Sequence, residues 1–146
     1  MINTGFSGLK IFRSDLLPRT PSNDQQGSVL TAQKVRDYIS AYGGVVIMFV
    51  VPQNLPYTGA PWTGALGPET GDSHCVPLIG YDQTWFECIT WGYVQKMNWD
   101  FLTTYCSEVW LVGGQSWIAA SGETPSGLNR DQLNQDIAYD SSGAWA

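Results

Sequence analysis

The sequence predicts an α+β fold with a largely antiparallel sheet and flanking helices, and three observations carry that reading. Apolar residues recur at helical spacing between Ala32 and Tyr42, a β-branched run VVIMFVV occupies 45–51, and two strand-like segments, CVPLIGY and WFECIT, stand close enough together to form a hairpin. The resulting order of helix, strand, hairpin, helix, strand and helix belongs to the α+β class.

Each element has a local reason. Residues 1–27 show no sustained period and are broken by Pro18, Pro21 and the polar run SNDQQG, so they read as an extended N-terminal arm ahead of a domain over 28–146. From Ser28, a potential cap, Ala32, Val35, Ile39 and Tyr42 define a helix that Gly43 and Gly44 stop, because glycine accepts positive φ at little cost. VVIMFVV follows as a short, fully buried strand. The segment 52–73, PQNLPYTGAPWTGALGPETGDS, carries too much Pro and Gly for regular structure, and its length implies a use as a contact surface.

The hairpin is expected to turn at Asp82-Gln83, with Pro77 marking an edge or a bulge. If Tyr81 opposes Thr84, then Val76 opposes Ile89 and Pro77 opposes Cys88. His74, Val76 and Ile89 then share one face, and Cys75 and Cys88 share the other. NWDFLTTYC reads as a short helix capped by Asn98, EVWLV as a strand, and NRDQLNQDIAY as a last helix. In that last segment Asn129 and Gln132 have the spacing of a capping box.

Composition narrows the function. The chain has 146 residues, of which 43% are hydrophobic, seven are Trp and only 14% are charged, so part of its surface is expected to be covered by partners. Residues 1–50 carry five bases and three acids, a balance of +2, while residues 51–146 carry two bases and ten acids, a balance of −8, which together give the net −6. That acidity argues against direct nucleic-acid binding. VVIMFVV is far too short to span a bilayer and the N-terminus has no signal-peptide core, so no membrane partner is expected. Cys75, Cys88 and Cys106 are odd in number and lack zinc spacing, which suits synthesis in a reducing cytoplasm.

The run His74-Cys75-Val76-Pro77-Leu78-Ile79-Gly80-Tyr81-Asp82, followed after a turn by Ile89-Thr90-Trp91-Gly92, resembles the C-terminal half of papain-like cysteine peptidases. In that family a His opens a strand ending in Gly-Tyr, and Asn-Ser-Trp-Gly closes its partner. QKMNWDFLTTYCSEVWLV and PSGLNRDQL are more closely similar to papain-like proteins of bacteria and their phages, and the resemblance covers roughly residues 33–138. It implies a nucleophilic Cys on a helix well upstream of the His, preceded by a Gln that helps form the oxyanion hole. No cysteine precedes His74, and the position the family gives to Asn holds Ile89, which cannot accept the imidazole N–H.

His74 is therefore expected to be a vestige with no catalytic role. Cys106 reads as a buried helix residue. Asp72 beside His74 is two metal ligands without a third, and Ser73 would point away from its neighbour, so neither a metal nor a cofactor is expected. Trp85, Trp91, Trp99, Trp110 and Trp117 read as core or interface. The expectation is a non-catalytic structural or interaction subunit of a larger assembly, of the kind found in the capsid, neck or tail of a phage virion. It would be made in the host cytoplasm and retained in the particle. Its protein partners would be engaged through the 52–73 loop and through the arm, whose Phe6, Ile11, Phe12, Leu16 and Leu17 are too apolar for a solvated tail. The competing expectation is a peptidase or amidase whose nucleophile comes from another chain or from Cys106.

Overall fold

The first helix forms as α1 (Ala32–Tyr42) in a computed structural model that describes residues 11–16, 31–114, 122–123, 127–129, 131–132 and 135. Its cap is Thr31, not Ser28, which lies outside the described residues. The Thr31 hydroxyl accepts the Lys34 N–H at 3.2 Å, and Gly43 closes the other end at φ 78° with its N–H on the Ile39 carbonyl. The strands are β1 (Ile11–Leu16), β2 (Val45–Pro52), β3 (Glu69–Tyr81), β4 (Phe86–Thr90), β5 (Tyr93–Met97) and β6 (Cys106–Gly114). The second helix, α2 (Trp99–Tyr105), is capped as expected by Asn98, whose side chain accepts the Phe101 N–H at 2.9 Å.

The strands form one sheet in the order β1-β6-β2-β3-β4-β5, with every pairing antiparallel. β1 comes from the expected arm and is indeed extended, but it also adds an edge strand, with Leu16 opposite Trp110. Contrary to expectation, β2 is not buried on both faces. Val45, Ile47 and Phe49 are buried while Val46, Met48 and Val50 between them are only half-buried, the signature of a sheet covered on one side. Val35, Tyr38, Ile39 and Tyr42 of α1 and Phe101, Leu102 and Tyr105 of α2 join the inward strand residues in one core, so both helices pack on the same face.

β3 starts at Glu69, so the loop is shorter than the predicted 52–73. It is also tied down. Trp62 is fully buried, its backbone joins β5 through the Lys96 carbonyl and the Asn98 N–H, and its indole N–H donates to the Pro56 carbonyl at 2.8 Å. The Tyr105 hydroxyl accepts the Leu66 N–H and contacts the Gly64 and Gly67 carbonyls. This loop also caps the edge strand β5, which blunts an open edge.

At the other end of the chain, Asn129 and Gln132 exchange side-chain-to-backbone bonds of 2.8 and 3.3 Å, the expected capping box. Asp131, Gln132 and Gln135 are helical, and the remainder of the last predicted helix lies outside the described residues. No helix among the described residues is long and apolar enough to cross a membrane.

Candidate functional site around His74

The hairpin differs from its expected register in two ways, and together they decide what His74 meets. Asp82 turns the chain with its own carboxylate, which accepts the Thr84 and Trp85 N–H groups at 2.7 Å each, so the loop holds four residues and Tyr81 pairs with Phe86. Those two backbone bonds hold the Asp82 carboxyl below its ordinary range, with Lys96 adding a smaller effect. That change alone would preserve face parity. A register shift between Leu78 and Gly80 then reverses it, setting Leu78 opposite Cys88.

Cys88 therefore lies on the inward face with Val76 and Leu78, while Ile89 turns to solvent at 47% exposure. Both halves of the expected face assignment are corrected. The inward residues of β4 are Phe86, Cys88 and Thr90, and it is Thr90, not Ile89, that partners the histidine: its hydroxyl stands 2.8 Å from His74 Nε2. The period-two pattern Phe86, Cys88, Thr90 was visible in the sequence. Reading it needed the bulge.

His74 is half-buried on β3, opposite Phe49 of β2. The Phe49 ring meets it edge-on at 5.6 Å, and Trp91 lies parallel to it, with centroids 5.0 Å apart and planes 6° apart. Burial against these rings lowers the His74 pKa and favours the neutral imidazole. Trp91 is held by a two-residue turn between Thr90 and Tyr93 in which both central residues have positive φ, 47° for Trp91 and 83° for Gly92. A left-handed tryptophan costs about 1 kcal/mol relative to glycine, and its packing against several rings offsets that strain.

An aromatic cluster surrounds this point. Trp91 lies 4.9 Å from Tyr57, 5.9 Å from Trp62 and 6.5 Å from Tyr93, and Trp62 packs on Phe49 and Phe101. The Tyr93 hydroxyl donates to the Tyr57 carbonyl. Gln95, 1% exposed, donates its amide to the Ala60 and Lys96 carbonyls at 2.8 Å each, while its side-chain oxygen has no partner among the described residues. Tyr57 and Trp91 are nevertheless 59% and 46% exposed. Tyr57, Trp62 and Thr90 escaped the sequence reading because two lie in a Gly/Pro loop and the third depends on register.

The thiols stand apart from the imidazole. Cys106 pairs with Phe49 on the side opposite His74, so Cys106, Phe49 and His74 form a row across three strands. The two ends are two strand spacings, about 10 Å, apart with the phenyl ring between them. Cys106 begins β6 at the end of α2, is 2% exposed, and directs its thiol to the Glu108 carbonyl at 3.2 Å. Cys88 is fully buried and its pKa is pushed up to about 12 by that burial. Cys75 is exposed on the opposite face, beside Met48.

Ser73 and Asp72 are exposed, and among the described residues no three His, Cys, Asp or Glu side chains converge as metal ligands. Trp85, Trp99 and Trp110 are half-buried, and Trp117 lies outside the described residues. Of the expected interaction residues, Ile11, Phe12 and Leu16 fall in β1, while Phe6 and Leu17 lie outside the described residues.

Comparison of the chain with protein-family models, with curated proteins and with solved structures finds no match.

Proposed function

We propose that this protein is a non-catalytic interaction subunit of a larger assembly, built on a half-domain of papain-like character. The observation that carries the reading is the surface. Tyr57, Ile79, Tyr81, Ile89, Trp91 and Val94 are each between 40% and 59% exposed, on a chain with only 14% charged residues. Large apolar side chains exposed in this way are what a protein-binding surface offers. On the sheet face away from the helices, Trp110, Val46 and Pro77 pair across three strands and Ile89 pairs with Val94 on the next two, giving an apolar band for a partner to cover.

The non-catalytic part of the proposal draws on His74. One ring nitrogen is engaged by Thr90, the ring is packed between Phe49 and Trp91, and the thiols are either buried, as Cys88 and Cys106 are, or on the opposite face of the sheet, as Cys75 is. The likeness to proteins of bacteria and their phages directs the proposal to a virion component. A hydrolase completed by a nucleophile from another chain is the second reading, favoured by a half-buried imidazole whose burial disfavours its charged form.

The two readings separate with a thiol-directed peptidase inhibitor on the native protein. We expect modification of exposed Cys75 alone, unchanged by His74→Ala. Labelling of Cys106, or of a companion chain's cysteine, that disappears in His74→Ala overturns the non-catalytic reading.

A further inference from the structure

Tyr57 and Trp91 form an exposed aromatic pair whose position is fixed in advance. The Tyr93 hydroxyl holds the Tyr57 carbonyl, Gln95 holds Ala60 three residues on, buried Trp62 anchors the same loop, and the positive-φ turn sets Trp91. Rings held this way lose little entropy when a ligand covers them. The centroid steps from Tyr57 to Trp91 to Tyr93 are 4.9 and 6.5 Å, with the first two rings inclined at 47°. Aromatic surfaces of this kind suit proline rings presented along a polyproline II helix, in which residues three apart share an edge about 9 Å apart.

The chain carries such a ligand. Of its eight prolines only Pro18 and Pro21 stand three apart, in Leu17-Pro18-Arg19-Thr20-Pro21. Arg19 between them complements the exposed Glu69 and Asp72 on the same strand as His74. Reach excludes the chain's own platform. Leu16 is fixed opposite Trp110 at the β1 edge, and two residues carry Pro18 no more than about 7 Å further. β3 and β4 lie three and four strand spacings from β1, about 14 and 19 Å. Both prolines cannot reach the rings in the same chain.

We infer that the Tyr57–Trp91 platform binds the Pro18–Pro21 segment of a second copy of this chain. The inference rests on the interaction reading above and gives that reading a partner. Each arm would then pair within its own sheet through β1 and hand the following segment to a neighbour, a head-to-tail contact that builds a ring or a filament.

The test uses a fluorescent peptide of residues 14–25 titrated by anisotropy into the full chain carrying Pro18→Ala and Pro21→Ala, so that its own arm does not compete. Saturable binding is expected, weakened at least tenfold in a peptide with both prolines changed to Ala and at least tenfold by Trp91→Ala or Tyr57→Ala in the receptor. Tyr57→Ala leaves the strained turn alone and guards against a folding effect of the Trp91 substitution. In sedimentation velocity the wild-type chain should associate with concentration and the proline-substituted chain should not.

Equal affinity for the alanine peptide, or unchanged binding in both receptor variants, overturns the inference. So does equal binding of an unrelated Pro-x-x-Pro peptide, which points to a different proline-rich partner. Full-chain association that survives both proline changes overturns this contact yet leaves the interaction function standing, whereas His74-dependent labelling strikes at that function itself.

Discussion

Ile89 shows how one backbone irregularity decides a residue's role. Regular pairing across a two-residue turn puts it inward beside Val76, where an Asn would destabilise the fold. The register shift after Leu78 puts it outward at 47% exposure instead. Ile89→Asn should therefore change stability by less than about 1 kcal/mol, chiefly through strand preference, as read by urea denaturation. A loss of several kcal/mol would return the side chain to the core. His74 makes the opposite kind of statement, because its environment disfavours charge. Its folded pKa is below its unfolded value, so the unfolded chain binds the proton more readily as pH falls. Stability from this group is complete above the ordinary histidine pKa and is lost as pH falls through it toward the lower folded value. We expect the melting temperature to fall from pH 7 to pH 5, and to fall less in His74→Gln; equal slopes would remove His74 as the source.

At the scale of elements, what the sequence revealed and what it concealed follow from the range of the forces involved. α1 and α2 were legible because caps and helical periods are local: Asn98 and Gly43 act within four residues of themselves. β5 was missed although Tyr93, Gln95 and Met97 alternate inward, because Gln95 and Lys96 make the run look polar. The buried glutamine amide is satisfied by the neighbouring Lys96 carbonyl and by the Ala60 carbonyl, 35 residues away, and a linear pattern does not reveal the second. The Thr90 contact was hidden for the same reason, since register across a bulge depends on pairing that a linear pattern does not encode. Gly44 tests the junction between α1 and β2. A Cβ there would lie 2.7 Å from the Leu78 carbonyl oxygen, a backbone atom that cannot swing aside. Gly44→Ala should cost about 1 to 3 kcal/mol, the range for forced overpacking, and urea denaturation would read it as a lower midpoint. An unchanged midpoint would show that β2 and β3 can separate there at no cost.

For the whole molecule, the question is whether the arm belongs to the fold or to its partners, and β1 gives it a foot in each. Among the residues whose side chains are described, the buried hydrophobic core runs from Val35 to Leu111, and we expect that set to be enough to fold without residues 1–27. Removing them takes away the antiparallel ladder from Ile11 opposite Gly114 to Leu16 opposite Trp110 and leaves the outer edge of β6 unpaired. An unpaired edge beside Val109 and Leu111 invites another strand. The chain from Ser28 onward should keep its far-ultraviolet circular dichroism and a cooperative melt at a lower temperature, and should self-associate through the bared edge as concentration rises. Replacing Val112, which stands opposite Ser14, by Pro should suppress that self-association, because proline is poorly accommodated in a paired strand. A truncated chain that melts without cooperativity would place the arm inside the folding unit. One that melts normally and stays monomeric at all concentrations would mean that β6 tolerates an open edge, and that the arm serves only contacts beyond its own sheet.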